Sequence, residues 1–302
     1  MKSGAHRKRL ASAMLAGALC LLLACSCASL GELLAGRETS PGRPPVGTLS
    51  LSFIDVGQGD SVLVQAGGES YLIDAGNPEE GPNVVDYLRS RGVGELDGIV
   101  STSGDADHSG GLADVLDAFR VERIYVSGHP KPTMTYTNFL RTAREEVRSE
   151  GAELTALSAG MRLDWAGMRV DVLNPPPGST ETESNENSVA VLLTYGRARV
   201  LLAGDAEKGA EEYMASGPHT GGVTVMKVNH HGSNTSTTPM FLSRFRPEVA
   251  VIQCGADNSY GHPTPEVLGR LKDAGAKVFR TDLHGDVIVD IDRKTVEVSV
   301  TE

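Results

Sequence analysis

The sequence has few cysteines, and their placement excludes one class of protein. Of the four cysteines in the chain, Cys20, Cys25 and Cys27 lie near the N-terminus, so Cys254 is alone in the body of the sequence. A domain held together by a disulfide framework is therefore excluded. Cys254 follows the apolar run Val249–Ile252, and we expect a small buried residue there, not a metal ligand.

Positive charge is scarce as well. The chain has 28 lysines and arginines against 39 aspartates and glutamates, which gives a formal net charge of −11. A field of this sign provides no general attraction to nucleic acid, although it does not exclude a local basic groove. With 302 residues and 40% hydrophobic content, the chain is long enough for one large α/β domain or two small ones.

Long apolar runs are limited to one segment, Leu10 to Ala24, which follows a basic start. The run is too short and too rich in alanine to span a membrane comfortably, and its layout is typical of an export signal. It ends in Leu22-Leu23-Ala24-Cys25, which resembles the lipobox of bacterial lipoproteins. That resemblance implies cleavage before Cys25 and lipid attachment to it. An ordinary secretory signal and an uncleaved anchor are the alternatives.

The expected organisation follows from this signal and from composition. Residues 31–47 contain glycine, proline, serine and arginine with little apolar periodicity, which is typical of a tether. We therefore predict a signal peptide of the lipoprotein type over 1–24, a tether over 25–47 and an exported domain over 48–302. The domain is expected on the outer face of the cell membrane, held by its lipid, or secreted.

Strand-like and helix-like segments follow one another from Leu49 onward. Both halves of this region mix strands and helices, which indicates an α/β fold with a sheet-on-sheet core flanked by helices. The pattern predicts no strand between the helix Thr135–Glu150 and the strand Arg162–Trp165.

The stretch Ser103–Gly111 (SGDADHSGG) places Asp105, Asp107 and His108 within four residues. An apolar run precedes it and a helix-like segment follows, so the sequence predicts strand, loop and helix. A loop at the carboxyl end of a strand is where α/β folds place their chemistry. Two carboxylates and an imidazole suit a divalent cation such as zinc or manganese. The alternative is an aspartate-rich turn that caps the next helix, with the two glycines supplying positive φ.

Further candidates stand after apolar strands or before a helix. Asp205 follows an apolar strand, although by itself it suits an N-cap better than a ligand. His230 and His231 follow the strand-like run Val223–Val228. Adjacent side chains at the end of a strand point to opposite faces. One histidine is therefore a candidate ligand, and its neighbour is a candidate for contact with substrate. His262 precedes a helix that begins with proline and is a candidate for contact with substrate or with a ligand.

Together these segments resemble one known family. Phe53–Ser61 (FIDVGQGDS), Leu72–Gly76 (LIDAG) and Asp105–Gly111 (DADHSGG) are similar to the metallo-β-lactamase-like domain of ComEC-type competence proteins. The match extends, in the family's order, through Asn187-Ser188-Val189, Leu202-Ala203-Gly204-Asp205, His230-His231-Gly232-Ser233 and Tyr260-Gly261-His262-Pro263. The resemblance implies a four-layer αββα sandwich with metals in a cleft at one edge of the two sheets.

The resemblance also implies roles for individual residues. One metal site would consist of Asp107, His108, Asp205 and either His230 or His231. Asp205 would bridge to a second metal, and the implied cofactor is one or two ions of zinc or manganese.

Other positions of the same motifs receive implied roles too. Asp105 would be a ligand of the second metal, Asp74 would brace the metal loop, and Asp60 would lie in a turn near the cleft. His262, the histidine pair and Asp60 are the residues that the resemblance makes candidates for catalysis.

The chain departs from the family at Ser103, where the resemblance implies a histidine. A serine hydroxyl is a poor replacement for an imidazole at a zinc or manganese site. The second metal would keep Asp105 and Asp205, with possible help from Asn187, and we expect it to bind weakly. The loss of this ligand is compatible with a one-metal enzyme, a manganese-dependent enzyme or a binding protein without activity.

The resemblance and the ligand types predict an exported metal-dependent hydrolase of phosphodiester bonds, with nucleic acid as the implied substrate class. A divalent ion would supply hydroxide and polarise a phosphoryl oxygen, and the spare imidazole of the histidine pair, or His262, would protonate the leaving group. The sequence shows no multi-span channel of the kind that accompanies this domain in competence proteins, so DNA import by this chain alone is not expected. The alternatives are another hydrolase, of the phosphocholine esterase or lactonase type, and an inactive binding module, which Ser103 favours. The sequence indicates no protein partner.

Overall fold

The computed structural model describes residues 42–219 and 221–301, and this part of the chain forms two mixed β-sheets packed face to face. Apolar residues alternate along the strands, because successive side chains of a strand point to opposite faces. In β1 (Leu49–Phe53), Leu49, Leu51 and Phe53 belong to the core between the sheets, whereas the serines between them do not. The alternation therefore determines which face of each strand meets the other sheet.

The first sheet has the strand order β15-β14-β1-β2-β3-β4-β5-β6. Its other strands are β2 (Val62–Ala66), β3 (Glu69–Ile73), β4 (Gly98–Ser101), β5 (Arg123–Val126), β6 (Glu153–Ala156), β14 (Val287–Ile291) and β15 (Val296–Val300). Strands β3 to β6 are parallel, so their carboxyl ends lie at one edge of the sheet. Strand β14 returns from the end of the chain and pairs with β1.

The second sheet has the strand order β13-β12-β11-β10-β9-β8-β7. Its strands are β7 (Arg162–Trp165), β8 (Met168–Asn174), β9 (Ala190–Tyr195), β10 (Ala198–Leu202), β11 (Val225–Lys227), β12 (Val249–Ile252) and β13 (Lys277–Arg280). Strands β10 to β13 are parallel. Each sheet thus presents a row of carboxyl ends from which loops depart.

Helices cover the outer faces of both sheets. They are α1 (Gly81–Ser90), α2 (Ala106–Ser109), α3 (Leu112–Ala118), α4 (Met134–Ser149), α5 (Lys208–Ser216), α6 (Pro239–Phe245), α7 (Pro265–Asp273) and α8 (Thr281–His284). Apolar residues of α1, α3 and α4 pack on the first sheet, and those of α5, α6 and α7 pack on the second. Threonine N-caps fix where α4, α6 and α7 begin, since each hydroxyl accepts a backbone N–H of the first turn.

The layer between the sheets is mostly apolar. Trp165 of the second sheet stacks on Tyr71 of the first, with ring centroids 4.3 Å apart and an interplanar angle of 10°. The order of layers is helices, sheet, sheet and helices, so the predicted four-layer αββα sandwich is confirmed.

The structure contains one strand that the sequence did not predict, and it does not test the predictions for the N-terminal residues. Strand β6 is short and mostly exposed, so it lacks the apolar alternation that would have indicated it. The predicted signal peptide (1–24), Cys25 and the tether as far as residue 41 lie outside the described residues. Within 42–219 and 221–301, no helix combines the length and the apolar character that crossing a membrane requires.

Candidate metal centre

Loops from both sheets meet at the edge where the parallel strands end. The first sheet contributes the loops after β1, β3 and β4, and the second contributes those after β10, β11 and β12. Polar side chains on these loops converge there: Asp60, Asp74, Asp107, His108, Asp205 and His231. The sequence predicted this convergence only in part, since the resemblance placed the motifs at one edge without giving their distances.

Four of these side chains form a group with metal-ligand spacing, in which all members except the partly exposed Asp107 are buried. Asp107, His108, Asp205 and His231 each place a ligand atom within 4.8 Å of the others. The Nε2 atom of His108 lies 3.0 Å from Oδ2 of Asp205, and Nε2 of His231 lies 3.4 Å from the same oxygen. Both Nε2 atoms are buried, and the polar groups that they face are the carboxylates of the group itself. Two imidazole nitrogens and two carboxylates of this kind fit zinc or manganese.

The opposite ring nitrogens are held by hydrogen bonds, which fixes the direction of both imidazoles. Nδ1 of His108 donates to Oδ2 of Asp74 at 2.9 Å, and Nδ1 of His231 donates to the Gln253 carbonyl at 2.9 Å. Asp74 in turn accepts the backbone N–H of Thr102 at 2.8 Å, which ties it to the loop after β4. Partners of this kind keep Nε2 free for a metal and raise the basicity of the ligand.

A buried lysine, Lys227, contacts Asp60 next to the ligand group. The Lys227 ammonium contacts the Asp60 carboxylate and donates to the Gly204 carbonyl at 3.0 Å. Burial raises the pKa of Asp60, but Lys227 and then His231 outweigh it and lower that pKa to about 2. Asp60 contacts Nδ1 of His231 at 3.3 Å. Asp60, a candidate for catalysis in the sequence, thus lies on the side of the imidazoles that faces away from the group.

The charges of the group depend on one another. Burial lowers the pKa of His108 and of His231, but Asp205 and the other nearby carboxylates raise both well above the usual value. Burial raises the pKa of Asp205, and His108 and His231 more than reverse this and hold it well below its usual range. Protons on the imidazoles therefore balance the carboxylates when no ion is bound, and a bound cation would displace them.

The backbone around the group is strained. Asp74, His230 and His231 have φ values of 58°, 48° and 53°, a left-handed conformation that costs non-glycine residues about 1–3 kcal/mol each and clusters at functional sites. Gly59 is required for a different reason, because a Cβ there would lie 2.5 Å from the Asp107 carbonyl oxygen. The loop after β1 therefore packs directly against the metal loop.

His230 and His262 lie at the rim of the group. Nδ1 of His230 lies 3.0 Å from Oε1 of Glu207, and its Nε2 lies 3.7 Å from Oδ2 of Asp205. The His262 ring lies 5.6 Å from that of His230 and stacks on Tyr260, which is 69% exposed. Burial, followed by His230 and His231, lowers the pKa of His262. The structure thus separates the histidine pair, with His231 in the buried group and His230 at the rim.

The residues implied for a second metal have other partners. Among the described residues, the groups with metal-ligand spacing do not include Asp105, whose carboxylate contacts Lys131. Ser103 is buried, and its Oγ lies 3.4 Å from Oδ2 of Asp105. The Asn187 amide donates to the Glu181 carbonyl at 2.8 Å.

Sequence reasoning missed three of these partners, namely Lys131, Glu207 and Lys227. Lys227 had a detectable signal, because a lysine interrupts the apolar run Val225–Val228. Lys131 and Glu207 had none, since each contacts the site through residues distant in sequence.

The fold and the site define a class of protein, the metallo-β-lactamase superfamily, to which the chain belongs. The model of that superfamily matches residues 54–256, so the predicted resemblance is confirmed. The solved structure of Igni18, a metallo hydrolase from Ignicoccus hospitalis, has a TM-score of 0.54 and 16% identity, covering 82% of this chain and 100% of that one. At this identity the likeness concerns the fold alone.

Within the superfamily, the chain is similar to proteins named for recombination and competence. It is 31% identical to Recombination protein 2 of Haemophilus influenzae over 257 residues, which is 83% of this chain and 30% of that protein. It is 30% identical to ComE operon protein 3 of Bacillus subtilis over 261 residues, which is 78% of this chain and 32% of that protein. The chain therefore spans about a third of the length of these relatives.

Proposed function

We propose that this chain is a metal-dependent hydrolase of phosphodiester bonds that acts outside the cytoplasm. The observation that supports it most is the convergence of Asp107, His108, Asp205 and His231, whose buried Nε2 atoms face the carboxylates of the group. A divalent cation held there supplies Lewis-acid activation of water and of a phosphoryl oxygen. The strained backbone at His231 and the bonds behind both imidazoles support a site built for such an ion.

The residues of the rim supply the remaining chemistry. We assign proton transfer to His230, because Glu207 contacts its Nδ1 and leaves Nε2 directed toward the group. A leaving oxygen next to His230 would take its proton from Nε2. His262 lies beside His230 and its pKa is lowered, which favours the neutral ring and suits it to accept a hydrogen bond from water or substrate.

Nucleic acid is the substrate class that we propose. Two relatives are named Recombination protein 2 and ComE operon protein 3, and the exposed Tyr260 ring offers a face on which a base can stack. The net charge of −11 provides no long-range attraction to a polyanion, so we expect contacts to be confined to the cleft.

The test uses the full chain, stripped with chelator and then supplied with Mn²⁺ or Zn²⁺. We expect metal-dependent hydrolysis of bis(p-nitrophenyl) phosphate and of DNA. His108→Ala should abolish both activities, whereas His219→Ala, a control at a histidine that lies outside the group, should retain them. If the chain hydrolyses only a choline-phosphate ester or a lactone, it is instead a hydrolase of the phosphocholine esterase or lactonase type. Metal binding without any turnover would favour the binding module that Ser103 suggested.

A further inference from the structure

We propose that Lys131 takes the place of a second metal ion, so that the site binds a single divalent cation beside the Lys131 ammonium group, whose side chain is partly buried against Asp105. The inference rests on the proposed metal-dependent function and deepens it. It concerns Ser103, Asp105 and Asn187, the positions from which a second ion would have to draw its ligands besides Asp205.

The carboxylate of Asp105 already has a cation. The Lys131 ammonium contacts its Oδ1, and the Ser103 hydroxyl lies near its Oδ2. A divalent ion at the same carboxylate would face the positive charge of Lys131 within a few ångströms, where like charges repel strongly. A second ion must therefore displace Lys131 before it can use Asp105.

The order of the strands places Lys131 next to the metal loop. Strands β4 and β5 are parallel neighbours, so the loop after β5, which carries Lys131, lies beside the metal loop after β4. Gly104 permits the contact, because a Cβ at that position would lie 2.7 Å from Cβ of Lys131 and 3.2 Å from its backbone nitrogen. A larger residue at position 104 would push the lysine away from Asp105.

The other two candidate ligands are also engaged. Oγ of Ser103 accepts the backbone N–H of Asp105 at 3.2 Å, and its side chain is buried. The Asn187 amide donates to the carbonyls of Glu181 and Glu183, and its Oδ1 accepts the Ser179 hydroxyl at 3.0 Å. A metal would therefore have to compete with existing hydrogen bonds at both side chains, and serine lacks an imidazole, the nitrogen ligand that suits zinc.

The test counts bound ions on the full chain. Chelator-stripped protein is titrated with Mn²⁺ alone, and stoichiometry is measured by calorimetry and by metal analysis after gel filtration. We expect one ion per chain for the wild type, for Lys131→Ala and for Ser103→His, since the last variant still has its Asp105 held by Lys131. The double variant Ser103→His with Lys131→Ala should bind two ions. The matched control, Ser103→His with Lys272→Ala at an exposed lysine of α7, should bind one.

Several results would overturn the inference. They are two ions in the wild type, two ions in Ser103→His alone, no ion in the wild type, and a single ion in the double variant. Ser103→His with Lys131→Gln, which keeps a long side chain without the charge, guards against a folding defect and should also bind two ions. One ion without hydrolysis of any ester would contradict the proposed function only, whereas hydrolysis by a wild type with two ions would contradict this inference only.

Discussion

His108 has a partner at each of its ring nitrogens. Its Nε2 faces Asp205 and its Nδ1 binds Asp74, so it joins the ligand group to the loops behind it. We expect His108→Ala to remove bound metal and to abolish hydrolysis.

His262→Ala should lower kcat by about 10²-fold while the metal content stays nearly constant, because His262 contacts His230 and not the buried group. Metal analysis and kcat measured on the same samples would check both. Metal loss in His262→Ala would show that His262 is a ligand.

The raised pKa values of His108 and His231 predict how metal and pH act together. A raised pKa in the folded chain stabilises the metal-free protein below the unfolded value of about 6.5, and that stabilisation is lost as pH rises through the folded pKa. A metal requires neutral imidazoles, so it competes with protons at low pH. We expect the gain in Tm from Zn²⁺ to be larger at about pH 9 than at about pH 6. A gain that shrinks with pH would contradict this assignment of protons.

Cys254 is buried, as the sequence predicted. Burial, followed by the charge of Asp282, raises the pKa of its thiol to about 12, so the reactive thiolate is scarce near neutrality. We expect iodoacetamide at about pH 8 to leave Cys254 unlabelled in the folded chain and to label it in urea. Mass spectrometry of the peptide that contains Cys254 would measure both. Rapid labelling without denaturant would show that the region around β12 opens.

At the scale of elements, strand β11 carries a buried cation into the core. Lys227 is 1% exposed and contacts Asp60, so Lys227→Met leaves a buried carboxylate without its principal partner. Breaking a buried pair in this way destabilises a protein by about 3–5 kcal/mol. Urea denaturation should show a loss of this size, with Lys272→Met at an exposed position as the control. A loss no larger than that of the control would mean that the two histidines compensate Asp60 fully.

The sequence predicted the helices and strands whose apolar residues recur at a regular period or whose ends are marked by boundary residues. The strand predicted before the metal loop is present as Gly98–Ser101, and the helix predicted over Thr135–Glu150 is displaced by one residue at each end. Strand β6 was missed, because mostly exposed residues at a sheet edge need no apolar alternation. Its pairing with β5 is set by topology alone.

The site was predictable as far as its motifs reach. Asp107, His108 and Asp205 stand in the motifs that the resemblance matched, and the structure brings them together. The choice between His230 and His231 was not predictable, because both have left-handed backbone conformations and strand alternation does not apply to them. The contact between Lys131 and Asp105 was not predictable either, since it depends on the packing of two loops.

At the scale of the whole molecule, the export prediction concerns residues that the structure does not describe. If Leu22-Leu23-Ala24-Cys25 is a lipobox, Cys25→Ala should prevent lipidation and release the domain from the membrane. The substitution removes the residue that carries the acyl chains, and stable anchoring needs more than one such chain. Cell fractionation and metabolic lipid labelling would measure this, and Cys27→Ala serves as the matched control. Unchanged membrane association of Cys25→Ala would indicate an uncleaved anchor.

The ligand group draws half of its members from each sheet, Asp107 and His108 from the first and Asp205 and His231 from the second. A cation bound there would add a link between two layers that are also joined by apolar packing and by the contact between Lys227 and Asp60. When free metal exceeds its Kd by about 100-fold, binding would add about 2.7 kcal/mol to the free energy of unfolding and make opening between the sheets correspondingly rarer. Metal supply would then govern how long the folded chain survives proteolysis, in addition to whether it is active.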